Sequence, residues 1–457
     1  MLTKYIMRCI IYNMSVLIKI ISLIIVCFTA NAPFILEKAP LEVKISTGII
    51  LAAFFVLWNI FPSVKKYPNA RLRLLANGAE LILAFMISSA SAVPAVVFEI
   101  IGIAGGSVPF THCLARFAAL FLTETVIFWN GIIRVYLTSM RLGIKYRVLG
   151  LVFGYFFPIN LVMLMIIYVK CVGEVRFECR KIKLDESRRD ERICATKYPV
   201  LLVHGVFFRD SRLFNYWGRI PAALERNGAE IFYGEQQSAL SVIESSKELA
   251  DRIKEITART GCGKVNIIAH SKGGLDARYA ITKLGCAEQV ASLTTVNTPH
   301  HGCIFAESLL HTMSPHLKRF IERTYNRAFY RLGDNSPDFM AAVKTLTKSY
   351  CEEFNRDVPD ISGIYYQSIG SKAKSRRSGR FPLNFSYPIV KKYDGDNDGL
   401  VATASAKWGE RFIPLYPKGR RGITHADVID LNREDIRGFD VQEFYVKLVA
   451  ELKEKGL

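Results

Sequence analysis

Ser271 closes the run Val265-Asn266-Ile267-Ile268-Ala269-His270-Ser271-Lys272-Gly273-Gly274, a β-branched stretch that ends among small residues. A helix-forming segment, 275–283, follows at once. This is the sequence form of a nucleophile elbow, a tight strand-to-helix turn that exposes a serine hydroxyl and admits only small residues two positions to either side. Ala269 and Gly273 hold those places; Ala269 stands where glycine is commoner, but its side chain is a single methyl. A helix starting behind the serine supplies free N–H groups and a positive dipole end, both favourable to a developing oxyanion. An ordinary strand-to-helix turn that contains a serine would carry the same letters.

A serine hydroxyl is a poor nucleophile at neutral pH and needs a base, itself oriented by an acid. Behind an elbow of this kind the chain order is serine, then acid, then histidine. His300, His301, His311 and His316 come too early to follow an acid on a later strand, whereas His425, in Gly422-Ile423-Thr424-His425-Ala426-Asp427, suits a loop after the last strand. Asp398, in Asp396-Asn397-Asp398-Gly399-Leu400-Val401, is the preferred acid, with Asp394 and Asp396 as competitors in the same turn-rich stretch. An earlier strand-like run ends in His204-Gly205-Val206-Phe207. A loop at that place supplies one backbone oxyanion donor, assigned to Val206; the second is the amide of Lys272. Such preorganised donors are typically worth ~3 kcal/mol each in a transition state. His204 itself reads as a packed loop histidine.

These residues need a scaffold. Beyond about residue 195, strand-like runs (199–203, 230–233, 265–269, 290–296) alternate with helix-like ones (216–227, 243–257, 275–283). That alternation predicts an α/β domain over 196–457, a mostly parallel sheet with helices on both faces and its ligands at the C-terminal strand ends. Apolar residues at helical spacing over about 303–337 predict a lid over the site, or else an amphipathic core helix. Residues 171–195 are charged and read as a linker.

The first 170 residues differ in kind. Half of the 457-residue chain is hydrophobic and its mean hydropathy is +0.19, with the apolar residues concentrated there. Five stretches, 16–36, 47–62, 81–105, 117–137 and 148–169, approach the ~20 residues that cross a bilayer. They predict an all-α transmembrane region of about five spans over 1–170. This region holds 15 Lys and Arg against 5 Asp and Glu, within a chain of net charge +19. With long apolar spans beside it, the basic excess points to lipid, and no nucleic-acid motif is present. Basic linkers after the second and fourth spans are expected to be cytoplasmic. Five spans then place the C-terminal domain outside, at the cell membrane. The basic segment after the fifth span opposes this, and a second span that does not cross would reverse it. The ten cysteines show no CxxC pairing or zinc-like spacing.

From about Tyr198 to His425 the chain resembles the bacterial true-lipase group of Pseudomonas and Burkholderia type, within the α/β-hydrolases. Five stretches carry the resemblance in family order: Leu202-Val203-His204-Gly205, Lys264 through Ser271, Thr298-Pro299-His300-His301-Gly302, Ala341 through Thr347, and Asn397-Asp398-Gly399-Leu400-Val401. It implies an α/β-hydrolase fold and ester hydrolysis on acylglycerols, with Ser271, Asp398 and His425 as the triad and no redox or nucleotide cofactor. Lys272 departs from the Gln or Met common after the serine; only its backbone is needed for the chemistry. Family members often hold calcium through an Asp two residues after the histidine. Asp427 occupies that place, but the partner acid is missing from 371–393 and Leu431 stands where a glutamine-like ligand is expected. The resemblance does not extend to the apolar region. A phospholipase or acyltransferase using the same site, and a catalytically dead membrane scaffold, remain alternatives. Oligomeric state is not legible.

Overall fold

The computed structural model describes residues 38–457 except 64, 107–109, 155, 157, 207–214, 332–333, 417–418, 420 and 437. The chain forms two compact units that part between Leu184 and Asp185.

The first unit is helical: α1 (Leu41–Ile60), α2 (Ala70–Ala104), α3 (Phe110–Thr138), α4 (Gly143–Phe153) and α5 (Ile159–Ser187). Three stretches in it are long and apolar enough to cross a membrane: α1, α2, and residues Phe117–Thr138 of α3. Helices α2 and α3 meet at glycines. A Cβ on Gly131 would lie 3.2 Å from the Gly78 carbonyl oxygen and 3.1 Å from Leu81 Cβ, so absent side chains let the backbones approach. The expected span 16–36 lies outside the described residues. The expected span 148–169 is not one helix. It breaks between α4 and α5, where Pro158 lacks the N–H that would continue the ladder. Residues 171–187, expected as part of a linker, are helical and continue α5. Glu174 on that helix accepts from Arg71 (2.6 Å), from the Ser139 hydroxyl (2.7 Å) and from the Met140 and Arg141 amides, which orders the segment despite its charge.

The second unit is built on six parallel strands: β1 (Val200–Val203), β2 (Ile231–Tyr233), β3 (Val265–His270), β4 (Val290–Val296), β5 (Tyr365–Ser371) and β6 (Arg411–Leu415), in spatial order β2-β1-β3-β4-β5-β6. Strands β1, β3 and β4 are buried at every position, as parallel strands covered on both faces must be. Side chains alternate between two cores. Leu202, Ile268, Val296 and Ile369 pack with Trp217, Tyr445 and Val449 on one face, the last two from α14 (Val441–Glu454); helix α6 (Ile220–Arg226) adds Ile220 and Leu224. Leu201, Val203, Ile267 and Leu293 pack on the other, against Leu249 and Ile253 of α7 (Val242–Thr260) and Ala277 and Ile281 of α8 (Lys272–Lys283). Local signals set the helix bounds. The Ser241 hydroxyl caps α7 by accepting from the Glu244 amide, and Gly261 ends it at φ +67°. This is the α/β-hydrolase fold expected from the sequence, preceded by a helical region.

Over 303–337 lie α9 (Ile304–Thr312) and α10 (Pro315–Arg331), followed by α11 (Phe339–Lys344) and α12 (Lys348–Asp357). Phe329 of α10 is buried with Val206, Ala239, Phe339 and Met340, while Phe320 and Tyr330 on the same helix are about two-thirds exposed.

Candidate active site

Ser271 sits between β3 and α8 at φ +55°, ψ −131°, a strained backbone that an L-residue keeps only where surrounding structure imposes it. Its amide donates to the Val296 carbonyl (2.9 Å), fixing the turn to β4. Close packing accounts for the glycines around it. A Cβ on Gly205 would lie 2.8 Å from Ser271 Cβ, and a Cβ on Gly273 would run into the His204 carbonyl. The oxyanion loop and the elbow therefore touch through backbone.

The acid and the histidine meet directly. His425 Nδ1 is 2.7 Å from Asp398 Oδ2, and the His425 amide donates to the Asp398 carbonyl at 3.0 Å. The other carboxylate oxygen accepts from the Leu400 and Val401 amides (2.9 and 2.8 Å), so Asp398 is held at both ends although 1 % exposed. The competing acids are engaged elsewhere: Asp394 accepts from the Ile304 and Phe305 amides, and Asp396 pairs with Lys372. The His425 ring lies 4.4 Å, centroid to centroid, from that of His270, the residue before Ser271. The structure thus joins Asp398 to His425 and sets the His425 ring beside His270, the chain neighbour of Ser271; between Ser271 and His425 themselves there is no hydrogen bond.

Of the predicted oxyanion donors, Lys272 follows the serine in the chain and Val206 follows Gly205, which packs against that serine. Val206 is buried one residue beyond Gly205 in the loop after β1, under the apolar side chains of Phe329 and Phe339. Lys272 opens α8, where first-turn amides have no intrahelical acceptor. Among the described residues neither amide donates to another protein group.

Two side chains to which the sequence reading gave no part complete the support. The Tyr216 hydroxyl accepts from the Gly205 amide (3.1 Å) and lies 2.7 Å from His270 Nδ1, so one side chain ties the oxyanion loop to the nucleophile strand. Burial, with His425 alongside, holds the His270 imidazole well below its ordinary pKa, so it is neutral beside that hydroxyl. No local pattern marks Tyr216; only the fold brings it to β3. Tyr216→Phe leaves the Gly205 amide and His270 Nδ1 unpartnered, and catalytic efficiency on any substrate of this site is expected to fall on the order of tenfold through a loosened oxyanion loop. Activity equal to wild type would remove Tyr216 from the site.

The second is the Lys272 side chain. It is 1 % exposed, and Nζ donates to both carboxylate oxygens of Asp276 (2.8 and 2.9 Å) and to the Ser245 hydroxyl (2.7 Å) on α7. Burial lowers the Lys272 pKa and pushes Asp276 up to about 6 against the pull of its partner. The side chain at this position thus locks α8, the helix behind the nucleophile, to α7.

Two other histidines, His204 and His300, have structural work. His204 lies 2.8 Å from the Gly205 carbonyl and 2.9 Å from that of Gln236, and burial brings it down to about 4. His300 meets the Thr295 hydroxyl (2.9 Å) and stacks on Trp408 at 4.6 Å, and burial lowers its pKa as well. Stability follows from these directions. A histidine with a depressed folded pKa contributes stability above its unfolded value of about 6.5 and loses it as pH falls toward the folded value. Each such imidazole contributes a slope of about 1.4 kcal/mol per pH unit in that window. His204, His270 and His300 act together, while Asp276, raised to about 6, opposes by one proton. Other carboxylates shift both ways, Asp360 and Asp427 upward, Asp185 and Glu307 downward. The urea midpoint of this unit, read by pulse proteolysis, is therefore expected to fall steadily from about pH 6.5 to about pH 5. A flat profile would contradict the buried neutral imidazoles.

At the position where the resemblance places a calcium ligand, Asp427 is already engaged by protein groups. Asp427 Oδ1 accepts from the Arg421 guanidinium (3.0 Å) and Oδ2 from the Thr424 amide (3.0 Å). Among the described residues no group of three His, Cys, Asp or Glu side chains could hold a metal ion.

Comparison with known proteins agrees in kind. Residues 235–333, which include Ser271, match the DUF676 serine esterase family. The chain is 34 % identical over 177 residues to a triacylglycerol lipase of Pseudarthrobacter phenanthrenivorans, covering 36 % of this chain and 55 % of that protein. It is 28 % identical over 298 residues to a triacylglycerol lipase of Pseudomonas fragi, covering 57 % of this chain and 98 % of that one. The chain spans about half the length of the curated relatives it matches at the higher identity. Among solved structures, the mature lipase BlEst2 of Bacillus licheniformis aligns at 21 % identity and TM-score 0.42, covering 56 % of this chain and 92 % of that one. The family and the relatives matched are serine esterases and triacylglycerol lipases, in keeping with a carboxylic ester hydrolase.

Proposed function

We propose that this chain is a membrane-anchored serine ester hydrolase that cleaves acylglycerols or related lipid esters. The observation that carries the reading is the His425–Asp398 contact beside a serine on a strained, positive-φ elbow. Ser271 Oγ attacks the ester carbonyl carbon while His425 Nε2 takes its proton. The Val206 and Lys272 amides receive the oxyanion. The tetrahedral intermediate collapses, the alcohol leaves with the proton from His425, and an acyl-serine remains. Water, activated by the same imidazole, then releases the carboxylic acid and restores the hydroxyl. Asp398 keeps the imidazole in the tautomer this sequence requires and stabilises its charged form. Every group the chemistry needs comes from the chain itself.

The apolar cluster of Phe329, Phe339 and Met340 over Val206 supports an acyl-chain site roofed by α9 and α10, with α10 as lid. Three helices apolar enough to cross a bilayer support anchoring at the cell membrane. The charge of the predicted linkers favours an exterior hydrolase unit.

The test is product analysis. Purified full-length chain, given a mixed acylglycerol emulsion, is expected to release free fatty acid whether or not an alcohol acceptor is present. Ester exchange without free acid would make it an acyltransferase. Release of neither product would remove the enzymatic reading.

A further inference from the structure

Beside the acid loop lies a groove of about 440 Å³ whose charged lining is wholly cationic, from Lys374, Arg376, Lys391 and Lys392, together with Tyr387 and Pro388. Lys391 and Lys392 belong to α13 (Leu383–Asp394). Among the described residues none of the four cations forms an ion pair, and the neighbouring carboxylates are committed: Asp394 to two amides, Asp396 to Lys372, Glu434 to Arg380 and Arg421. Four cations of one sign around a single concavity repel one another unless an anion enters.

The surface beside the groove is apolar. Phe385 and Ile389 of α13 are 64 % and 49 % exposed, and Phe381, just before the helix, is 79 % exposed. Leu383, Tyr387 and Val390 form the buried face, so α13 already has its core contact and the aromatic side is a second face. An exposed face that joins large apolar side chains to lysines is the composition of a helix lying in a bilayer interface, with rings among the headgroups and cations on phosphates. A bilayer is also at hand in the chemistry of the chain, through three helices able to cross one.

We infer that this groove binds the phosphate of anionic phospholipid headgroups, with Phe381, Phe385 and Ile389 entering the interface, so that α13 docks the hydrolase unit on a lipid surface. The inference rests on the membrane reading and not on the triad. The groove is tied to the acid loop by hydrogen bonds. The Ala373 amide donates to the Asn397 carbonyl (2.9 Å), and the Asn397 side chain donates to the Tyr387 carbonyl (3.4 Å), one residue from Asp398. Docking through α13 would therefore bring the acid side of the catalytic cleft against the surface that holds lipid esters.

The experiment uses the full chain in lipid nanodiscs of phosphatidylcholine, with or without phosphatidylglycerol. An impermeant amine-acetylating reagent is applied, and acetylation is followed by peptide mass spectrometry. With phosphatidylglycerol, Lys374, Lys391 and Lys392 are expected to react at least about fivefold more slowly, while the reference Lys254 is unchanged, since each cation at an anionic surface is held by roughly that factor. The exposed double variant Phe385→Ser/Ile389→Ser should lose most of this protection with fluorophosphonate labelling intact. Equal rates in both discs would overturn the inference. Equal protection by inorganic phosphate in neutral discs would also overturn it, in favour of a site for free phosphate. A chain that does not co-elute with discs would overturn the membrane reading and this inference together.

Discussion

Ser271→Ala and His425→Ala are each expected to lower kcat by about 10⁶, close to 8 kcal/mol of transition-state stabilisation. The double variant should be hardly worse than either single one, because hydroxyl and imidazole act as one unit and losing either ends proton transfer from the nucleophile. Asp398→Asn keeps the loop, since the Leu400 and Val401 amides can still donate to an amide oxygen. It loses control of the His425 tautomer, however, and is expected to cost about 10⁴ in kcat with little change in KM. Residual activity above the uncatalysed rate should survive in all three, from the Val206 and Lys272 amides. Steady-state kinetics on one soluble ester checks the set. Additive losses in the double variant, or an Asp398→Asn protein near wild-type activity, would mean that these residues do not work together.

Lys272→Ala is expected to destabilise the hydrolase unit by about 3–5 kcal/mol at neutral pH, because it leaves the Asp276 carboxylate buried without its cation. Direction of pH dependence separates this from a simple packing loss. Asp276 already titrates near 6 with the ammonium present, so without it the carboxyl holds its proton to higher pH still. The penalty should shrink as pH falls, since a protonated Asp276 carries no charge to bury. Lys272→Met with Asp276→Leu removes both charges and should recover most of the loss, as buried pairs exchanged for apolar side chains commonly do. Urea midpoints of the single and double variants across pH measure this. A pH-independent loss in Lys272→Ala would assign the effect to volume and leave the ion pair without a role.

How far the letters carried the structure depends on where each interaction partner lies. Strands β1, β3 and β4 were legible because a parallel strand covered on both faces is a short run of apolar and β-branched residues with no alternation to disguise it. β5 was not, since Tyr365-Tyr366-Gln367-Ser368 reads as polar; Gln367 and Ser368 are buried because Thr294 and the Trp408 carbonyl satisfy them, which no window of sequence shows. Ser271 was marked by its small neighbours, and His425 and Asp398 by chain order. Lys272 was taken as a backbone donor only. Its i,i+4 spacing to Asp276 was visible, but such pairs are usually solvated, and only the approach of α7 buries this one. The stretch 148–169 was long enough to cross a bilayer by length alone, yet Pro158 divides it into two helices. Tyr216 acts across 54 residues of chain and has no local signature.

The central claim is that one hydroxyl, on Ser271, is made nucleophilic by His425. Treatment of the full-length chain with a fluorophosphonate, followed by proteolysis and peptide mass spectrometry, tests it most directly. The account predicts a single stoichiometric phosphonyl adduct on the peptide containing Ser271, formed rapidly in wild type, greatly slowed in His425→Ala and absent in Ser271→Ala. An adduct on another serine, or labelling of Ser271 at the same rate without His425, would contradict it.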